Sequence, residues 1–266
     1  MANEVQASDD QILFEVRGAV AVLTFNRPRA RNALTFAMYD GLEKLCAGMR
    51  DRGDVRALII TGAGGQAFAA GTDISQFRSF AGADDALAYE RRIDEVLGAI
   101  EACPVPTIAA LAGACTGGGA AIALACDMRL ASRDLRFGFP IARTLGNCLS
   151  CASLSRLTQQ IGVGRTTELL FTARLMGADE ALALGLVTEV AADHAALMQR
   201  AWALAQSLAL HAPLTLRATK EALRRLRVDG PAARDEDLIT MCYTSQDFRA
   251  GLEAFLAKRP PTWTGR

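Results

Sequence analysis

The chain has 266 residues, enough to bury a large core, and 51% of them are hydrophobic, which excludes a disordered or low-complexity protein. Because 29 Lys and Arg residues balance 29 Asp and Glu residues, the formal net charge is zero, and no overall field draws the chain to nucleic acid or to an anionic membrane. Any ligand must therefore be recognised by a local site.

The N-terminal ten residues carry Glu4, Asp9 and Asp10 and contain no basic or apolar segment, so we expect a short frayed leader and no signal peptide. The seven cysteines cannot all pair within one chain. Four of them lie in apolar stretches, as reduced core thiols do: Cys46, Cys103, Cys115 and Cys126. These features predict a cytoplasmic protein.

The first part of the chain predicts a hairpin, a helix and a buried strand. Alternating apolar residues over residues 12–16 and 20–25 predict a β-hairpin. Apolar residues at helical spacing predict a helix that begins near Phe36 and ends near Gly53, and the apolar run at residues 57–61 predicts a buried strand.

Strands and helices continue to alternate beyond residue 62. Apolar runs predict strands at residues 107–111, 128–131 and 187–190. Helical spacing predicts helices at residues 86–102, 118–125, 150–161, 165–171, 192–210, 215–226 and 245–258. The alternation predicts an α/β core over residues 1–190, and the helical remainder, residues 191–266, predicts a cap or an oligomerisation arm.

Residues 105–126 contain no charged side chain and are long enough to span a bilayer. Pro106 and the glycines at 113 and 117–119 interrupt this stretch. A strand, a glycine loop and a buried helix of small residues explain it better than a membrane span. We therefore expect no membrane segment.

Two glycine-containing loops follow predicted strands. Their sequences are Phe-Ala-Ala-Gly-Thr-Asp-Ile at residues 68–74 and Gly-Ala-Cys-Thr-Gly-Gly-Gly at residues 113–119. Each leads towards a predicted helix, so each can expose backbone N–H groups where the partial positive charge of a helix N-terminus gathers. If both loops reach one cavity, they supply paired donors for a carbonyl oxygen that gains negative charge. The same glycines can instead serve tight turns and close packing alone.

Other functional motifs are incomplete. The glycines at residues 62–65 lack the ending of a P-loop, and no acidic residue is suitably spaced for a dinucleotide fold. Cys148 and Cys151 form a C-x-x-C, but the second pair of a structural zinc site and a thioredoxin-like context are both missing, so we expect no metal. His194 and His211 are predicted at the surface or at helix ends, which disfavours a histidine-centred triad.

At the two glycine loops the sequence resembles the crotonase, or enoyl-CoA hydratase/isomerase, superfamily. The resemblance covers nearly the whole chain and is carried by several motifs in order. They lie at residues 26–28, 32–34, 68–74, 117–119, 126–127, 137–138, around 172, and at 181–187, 254–255 and 258–259. The resemblance implies a spiral of ββα turns followed by helices that assemble trimers, often paired as hexamers. It also implies an acyl-coenzyme A thioester as substrate, with no further cofactor.

The same resemblance implies a site. The backbone N–H groups of Thr72 and Gly118 match the oxyanion-hole donors of the family. Residues that match the coenzyme A site are Arg27, Ala30, Ala33, Ala70, Asp73, Ile74, Phe255 and Lys258, the last two commonly reaching it from a neighbouring subunit. Arg27 and Lys258 can also be solvated cations. Asp73 is expected to cap a helix N-terminus, with proton transfer as the second interpretation.

The positions of the two glutamates that family hydratases use hold Ala121 and Ile141, which cannot transfer a proton. We therefore expect an isomerase, a decarboxylase or another variant reaction through a thioester enolate. A catalytically silent acyl-CoA binding subunit is the alternative. An RNA-binding relative is a third reading, disfavoured because the most basic stretch, residues 217–227, also contains Glu221 and the chain is neutral.

The segment of residues 137–150 is expected to line the pocket. Arg143 can hold a substrate carboxylate, polarise a second carbonyl or pair with a local acid. Asn147, Cys148 and Ser150 can place or activate a nucleophile, or support the loop. Elsewhere, Asp127 and Glu168 are expected to be structural, although Glu168 can also face the pocket.

Overall fold

A computed structural model describes residues 11–266, so the predicted leader lies outside the described residues. The main sheet has six strands in the order β1-β2-β3-β5-β7-β9, with β1 antiparallel to β2 and the other pairs parallel. Its strands are β1 (Ile12–Arg17), β2 (Val20–Phe25), β3 (Ala57–Gly62), β5 (Thr107–Leu111), β7 (Met128–Ser132) and β9 (Glu189–Ala191). The predicted hairpin and the four predicted strands that follow it are confirmed.

A second, three-stranded parallel sheet has the order β4-β6-β8. Its strands have three residues each: β4 (Ala67–Ala69), β6 (Ala114–Thr116) and β8 (Arg136–Gly138). Each follows a strand of the main sheet and is followed by a helix, which gives three successive ββα turns. The expected spiral of ββα turns is therefore confirmed.

Nine α-helices are found in the part of the chain that the structure describes. They are α1 (Phe36–Gly48), α2 (Ala83–Glu101), α3 (Gly118–Ala125), α4 (Cys151–Thr172), α5 (Ala178–Ala183), α6 (His194–Ala209), α7 (Pro213–Asp229), α8 (Glu236–Tyr243) and α9 (Gln246–Leu256). The helices predicted at 150–161 and 165–171 form α4, which is kinked at Gly162, where φ is 75°. The sequence did not predict α5 and α8, which are short.

The centre of the main sheet is buried on both faces, where every residue of β3 and β5 is buried. Helices α1 and α2 contribute to the larger core cluster. On the opposite face, α6 packs Leu197, Ala201 and Ala205, spaced four residues apart on one side of the helix. Because α6 covers the sheet, the α/β layers continue beyond residue 190.

Two ion-pair clusters fix α7 to the rest of the molecule. Lys220 of α7 lies 2.7 Å from the carboxylate of Asp127, which also accepts a hydrogen bond from the Thr107 N–H. Glu101, at the end of α2, accepts bonds from Arg156 of α4 and Arg227 of α7. Buried charge is tolerated here because each carboxylate is paired and hydrogen-bonded.

Within residues 11–266, no helix is long and apolar enough to cross a membrane. The uncharged stretch of residues 105–126 forms β5, β6 and α3, as expected. Several large apolar side chains of the C-terminal helices are exposed: Leu223, Leu226, Ile239, Tyr243, Leu252, Phe255 and Leu256.

Candidate active site

Both glycine loops open on one cavity of about 430 Å³. Its walls come from residues 70–72, from residues 116–118, from one side of α2 and from residues 139–149. Most of the lining surface is apolar, and a few polar groups lie among it. An apolar cleft with a small number of placed polar groups is the usual form of a small-molecule site.

The first loop leaves the Thr72 N–H free for a ligand. Gly71, with φ of 101°, turns the chain after β4. Its carbonyl accepts a hydrogen bond from the Leu34 N–H, and the Leu34 carbonyl accepts one from the Asp73 N–H, both at 2.8 Å. These bonds hold the peptide groups on either side of Thr72. Among residues 11–266, the Thr72 N–H itself donates to no protein group.

The second loop places Gly118 at the start of α3. Gly117 adopts φ of 52°, its N–H donates to the Gly138 carbonyl at 3.0 Å, and its carbonyl accepts from the Ala121 N–H at 2.9 Å. The Gly118 N–H, the first of α3, has no protein acceptor in the described part of the chain. Such first-turn N–H groups carry the partial positive charge of the helix.

Thr72 and Gly118 are close to each other. A Cβ atom added to Gly118 would lie 3.0 Å from the Thr72 Oγ1 and 2.0 Å from the Tyr39 hydroxyl. Only glycine fits this position without displacing a neighbour, because Tyr39 is itself fully buried. The structure therefore brings both expected donor residues to one side of one cavity.

Two phenols that the sequence analysis did not single out fix Thr72. Its Oγ1 lies 2.8 Å from the Tyr39 hydroxyl and 2.8 Å from the Tyr89 hydroxyl. Burial raises the pKa of Tyr39 well above its usual value and also raises the pKa of Tyr89. Both phenols stay neutral and hold the Thr72 side chain. They come from α1 and α2, far from the glycine loops in sequence, and neither helix carries a motif that marks them.

The residues expected at the coenzyme A site fall in two groups. Ala70 and Ile74 line the cavity, whereas Arg27, Ala30, Ala33 and Asp73 lie outside its lining. Arg27 donates to the Ala33 carbonyl at 2.6 Å and to the Asp73 carboxylate at 3.0 Å.

Asp73 caps the 3₁₀ turn Ile74–Ser79, as the sequence predicts, because its carboxylate accepts from the Ser75 N–H at 3.2 Å. The Ser75 hydroxyl, and after it the Arg27 guanidinium, lower the pKa of Asp73. Both contacts favour the ionised carboxylate, so its first role is structural.

The C-terminal residues lie elsewhere in this chain. Phe255 is 81% exposed and borders a separate apolar cavity of about 470 Å³, together with Phe248 and Trp263. Lys258 follows α9 in a left-handed conformation, with φ of 51°, and is also exposed. Neither residue lines the cavity that contains Thr72 and Gly118.

The segment of residues 137–150 reaches the cavity only in part. Asn147 and Cys148 line it, together with Ile141, whereas Arg143 is exposed and lies outside its lining. The Ser150 hydroxyl accepts from the Ser153 N–H at 3.1 Å and caps α4. The structure therefore places Asn147 and Cys148 on the same cavity as the expected donors and leaves Arg143 outside it.

Several other candidates have structural contacts. Asp127 holds Lys220 and Thr107, and Glu168 pairs with Arg174 at 2.6 Å, so their predicted structural roles are confirmed. His194 is the first residue of α6, and His211 is exposed.

The cysteines are free, and within residues 11–266 no three His, Cys, Asp or Glu side chains are grouped so that they could hold a metal ion. In the basic stretch, Lys220 pairs with Asp127, and Arg224 and Arg225 both pair with Glu221. These local pairs neutralise the cations and disfavour RNA binding.

A carboxylate that the sequence analysis missed also lines the cavity. Among the described lining residues, Glu90 of α2 is the single carboxylate, and it is half-buried. Burial, and after it the charge of Asp94, raise the pKa of Glu90. A signal for it exists in the sequence, because Glu90 lies three residues before the buried Ile93 and seven before Leu97, on the apolar side of the helix.

Successive ββα turns whose glycine loops border one apolar cavity define a protein of the crotonase fold. A model of the enoyl-CoA hydratase/isomerase family matches residues 15–266. The short-chain-enoyl-CoA hydratase of Clostridium acetobutylicum is 33% identical over 253 residues, which cover 94% of this chain and 96% of that protein. The crotonyl-CoA hydratase of Syntrophomonas wolfei shows the same identity and coverage.

A crystal structure from Magnetospirillum magneticum, described as an enoyl-CoA hydratase/carnithine racemase, matches with a TM-score of 0.88 and 36% identity over 97% of each chain. The chain therefore belongs to the enoyl-CoA hydratase/isomerase family, and the resemblance drawn from its motifs is confirmed.

Proposed function

We propose that this protein converts an acyl-CoA thioester through an enolate, with the N–H groups of Thr72 and Gly118 as the oxyanion hole. The observation that carries the proposal is that two backbone N–H groups, neither with a protein acceptor among the described residues, border the same cavity. Fixed dipoles of this kind stabilise negative charge that develops on a carbonyl oxygen. The hydratase relatives, named for acting on enoyl-CoA, support a thioester as the ligand.

The reaction is proposed to differ from hydration by paired carboxylates. Ala121 and Ile141 line the cavity at the positions that the family resemblance gives to the two hydratase glutamates. An alanine and an isoleucine cannot activate water or deliver a proton. Isomerisation or decarboxylation needs an enolate but not a pair of acids acting on water. These are the reactions that we assign to the site.

Coenzyme A is proposed to bind along Ala70 and Ile74. Phe255 and Lys258 are proposed to contact it from a neighbouring subunit of a trimer or hexamer. Within one chain Phe255 and Lys258 are exposed and away from the cavity, which fits a contribution to another subunit. Arg27, Ala30, Ala33 and Asp73 would shape the entrance, because Arg27 ties two of these segments together.

A panel of thioesters tests the proposal. Purified protein would be incubated with crotonyl-CoA and with 3-enoyl, β-ketoacyl and malonyl-type CoA thioesters, and products would be followed by mass spectrometry. We expect turnover of a 3-enoyl or malonyl-type thioester and little hydration of crotonyl-CoA.

Tight binding of the whole panel without turnover would contradict the proposal. It would favour the alternative, a catalytically silent acyl-CoA binding subunit. Ala121 and Ile141 support this alternative too, because neither side chain can transfer a proton.

A further inference from the structure

On helix α2, Glu90 follows Tyr89, the residue whose hydroxyl holds the Thr72 side chain. The Tyr89 hydroxyl bonds Thr72 Oγ1 at 2.8 Å, and its ring packs edge-on against Phe77 with centroids 4.9 Å apart. Ile93, one turn further along the helix, lines the same cavity as Glu90. These contacts hold this turn of α2 against the proposed oxyanion hole and turn Glu90 into the cavity.

The carboxylate of Glu90 differs from its neighbours on α2. Asp94 accepts from the Ser150 hydroxyl at 3.0 Å, Glu95 lies 3.4 Å from Arg92, and Glu101 pairs with Arg156 at 2.9 Å. Within residues 11–266, no hydrogen bond or ion pair engages the Glu90 carboxylate. Partial burial without a partner disfavours the ionised carboxylate, and an acid perturbed in this way inside a cleft is a candidate for proton transfer.

The other polar groups of the cavity are poorer proton acceptors. Thr116, Thr144 and Ser153 are neutral hydroxyls, and Asn147 does not titrate. The Tyr89 phenol already bonds Thr72, and burial raises its pKa. The Cys148 thiol is the remaining ionisable group among the described lining residues, and it is exposed.

Resting on the proposed function, we infer that Glu90 is the group that exchanges a proton with the carbon next to the thioester carbonyl. The carboxylate takes a proton from this α-carbon. The electron pair of the broken C–H bond forms a carbon–carbon double bond, and the carbonyl π pair moves onto the oxygen held by the Thr72 and Gly118 N–H groups. The neutral carboxyl then returns the proton to the α-carbon, or to the γ-carbon of a 3-enoyl chain, which leaves a 2-enoyl thioester.

Deuterium exchange isolates this step from the rest of the reaction. Butyryl-CoA, a saturated probe, would be incubated in D₂O with the wild-type protein and with Glu90→Gln, and deuterium at the α-carbon would be measured by mass spectrometry. We expect Glu90→Gln to slow exchange by about 10²- to 10⁴-fold, the usual contribution of a general acid or base. Calorimetry is expected to give a Kd for butyryl-CoA within threefold of wild type, which also reports that the variant is folded.

The matched control is Glu95→Gln, which removes a carboxylate from the same helix at an exposed position. Its exchange rate is expected to equal that of the wild type. Glu90→Asp keeps a carboxylate but retracts it by one methylene, so its rate is expected to lie between those of wild type and Glu90→Gln.

Two results overturn the inference in different ways. If Glu90→Gln exchanges deuterium at a rate within threefold of the wild type, Glu90 is not the proton-transfer group, and the proposed enolate still stands. If Cys148→Ser loses exchange instead, the thiol has this role. If the wild type binds butyryl-CoA but neither exchanges its α-hydrogen nor turns over any thioester of the panel, the proposed function is overturned, and the role of Glu90 with it. If it turns over a 3-enoyl thioester without exchanging butyryl-CoA, the same threefold criterion applies to that turnover in Glu90→Gln.

Discussion

Gly118→Ala is expected to slow α-proton exchange in butyryl-CoA by at least about 100-fold. The added Cβ would lie 2.0 Å from the Tyr39 hydroxyl and 3.0 Å from Thr72 Oγ1, so the loop or the buried tyrosine must move. Either movement displaces a donor of the proposed oxyanion hole. Loss of one such donor costs about 10²- to 10³-fold in rate.

A second substitution distinguishes this cause from general damage. Tyr39→Phe in the Gly118→Ala background removes the oxygen at 2.0 Å and leaves two closer-than-usual contacts with the new Cβ, Thr72 Oγ1 at 3.0 Å and the ring carbon Cζ at 3.3 Å. We expect the double variant to regain part of the lost rate. Gly98→Ala, where an added Cβ meets nothing within 4 Å, is the matched control and is expected to behave as wild type. A Gly118→Ala protein with an unchanged rate would refute the assignment of this loop.

The exchange rate is expected to fall about tenfold per pH unit on the acid side, because only the ionised Glu90 can take a proton. Burial raises the pKa of Glu90, so this fall begins above the usual pH range of a glutamate. The charge of Asp94 adds to the shift, whereas Tyr39 and Tyr89 are neutral across this range, since their pKa values are raised. Cys148 is the other ionisable group described at the cavity.

Asp94→Asn tests the predicted direction of the shift in the pKa of Glu90. Removing this negative charge lowers the pKa of Glu90, so the acid limb of the pH–rate profile is expected to move to lower pH. Asparagine can still accept the hydrogen bond from Ser150, and Arg156, which loses its 3.5 Å ion pair with Asp94, remains paired with Glu101. Glu95→Gln is expected to leave the profile in place. A profile unmoved by Asp94→Asn would argue against Glu90 as the titrating group.

The sequence predicted the long elements of this fold because their apolar residues repeat with a clear period. Strands β3 and β5 are continuous apolar runs, and α6 and α9 have regular apolar sides. Apolar periodicity did not predict the second sheet, which only the family resemblance implied, because β4, β6 and β8 have three residues each, too few for a period to appear.

Only part of the site was predicted, because a residue is recognised in the sequence only where a local pattern marks it. Thr72 and Gly118 lie in glycine-containing loops that follow predicted strands, a pattern that is visible in the sequence. Tyr39, Tyr89 and Glu90 lie on helices, where an aromatic or acidic residue resembles any other. Only tertiary packing brings these three to the loops. Arg143 was predicted at the pocket because it lies in the segment of residues 137–150, but it lies outside the lining of the cavity.

Vibrational spectroscopy of a bound thioester tests the oxyanion hole most directly. Butyryl-CoA labelled with ¹³C at the carbonyl would be bound to the wild type and to Gly118→Ala, and the shift of its C=O stretch would be read by infrared difference spectra. Two N–H donors on the carbonyl oxygen weaken this bond, so we predict a clear shift to lower frequency in the wild type and its loss in Gly118→Ala. A wild-type stretch unchanged from that of free butyryl-CoA would contradict the account.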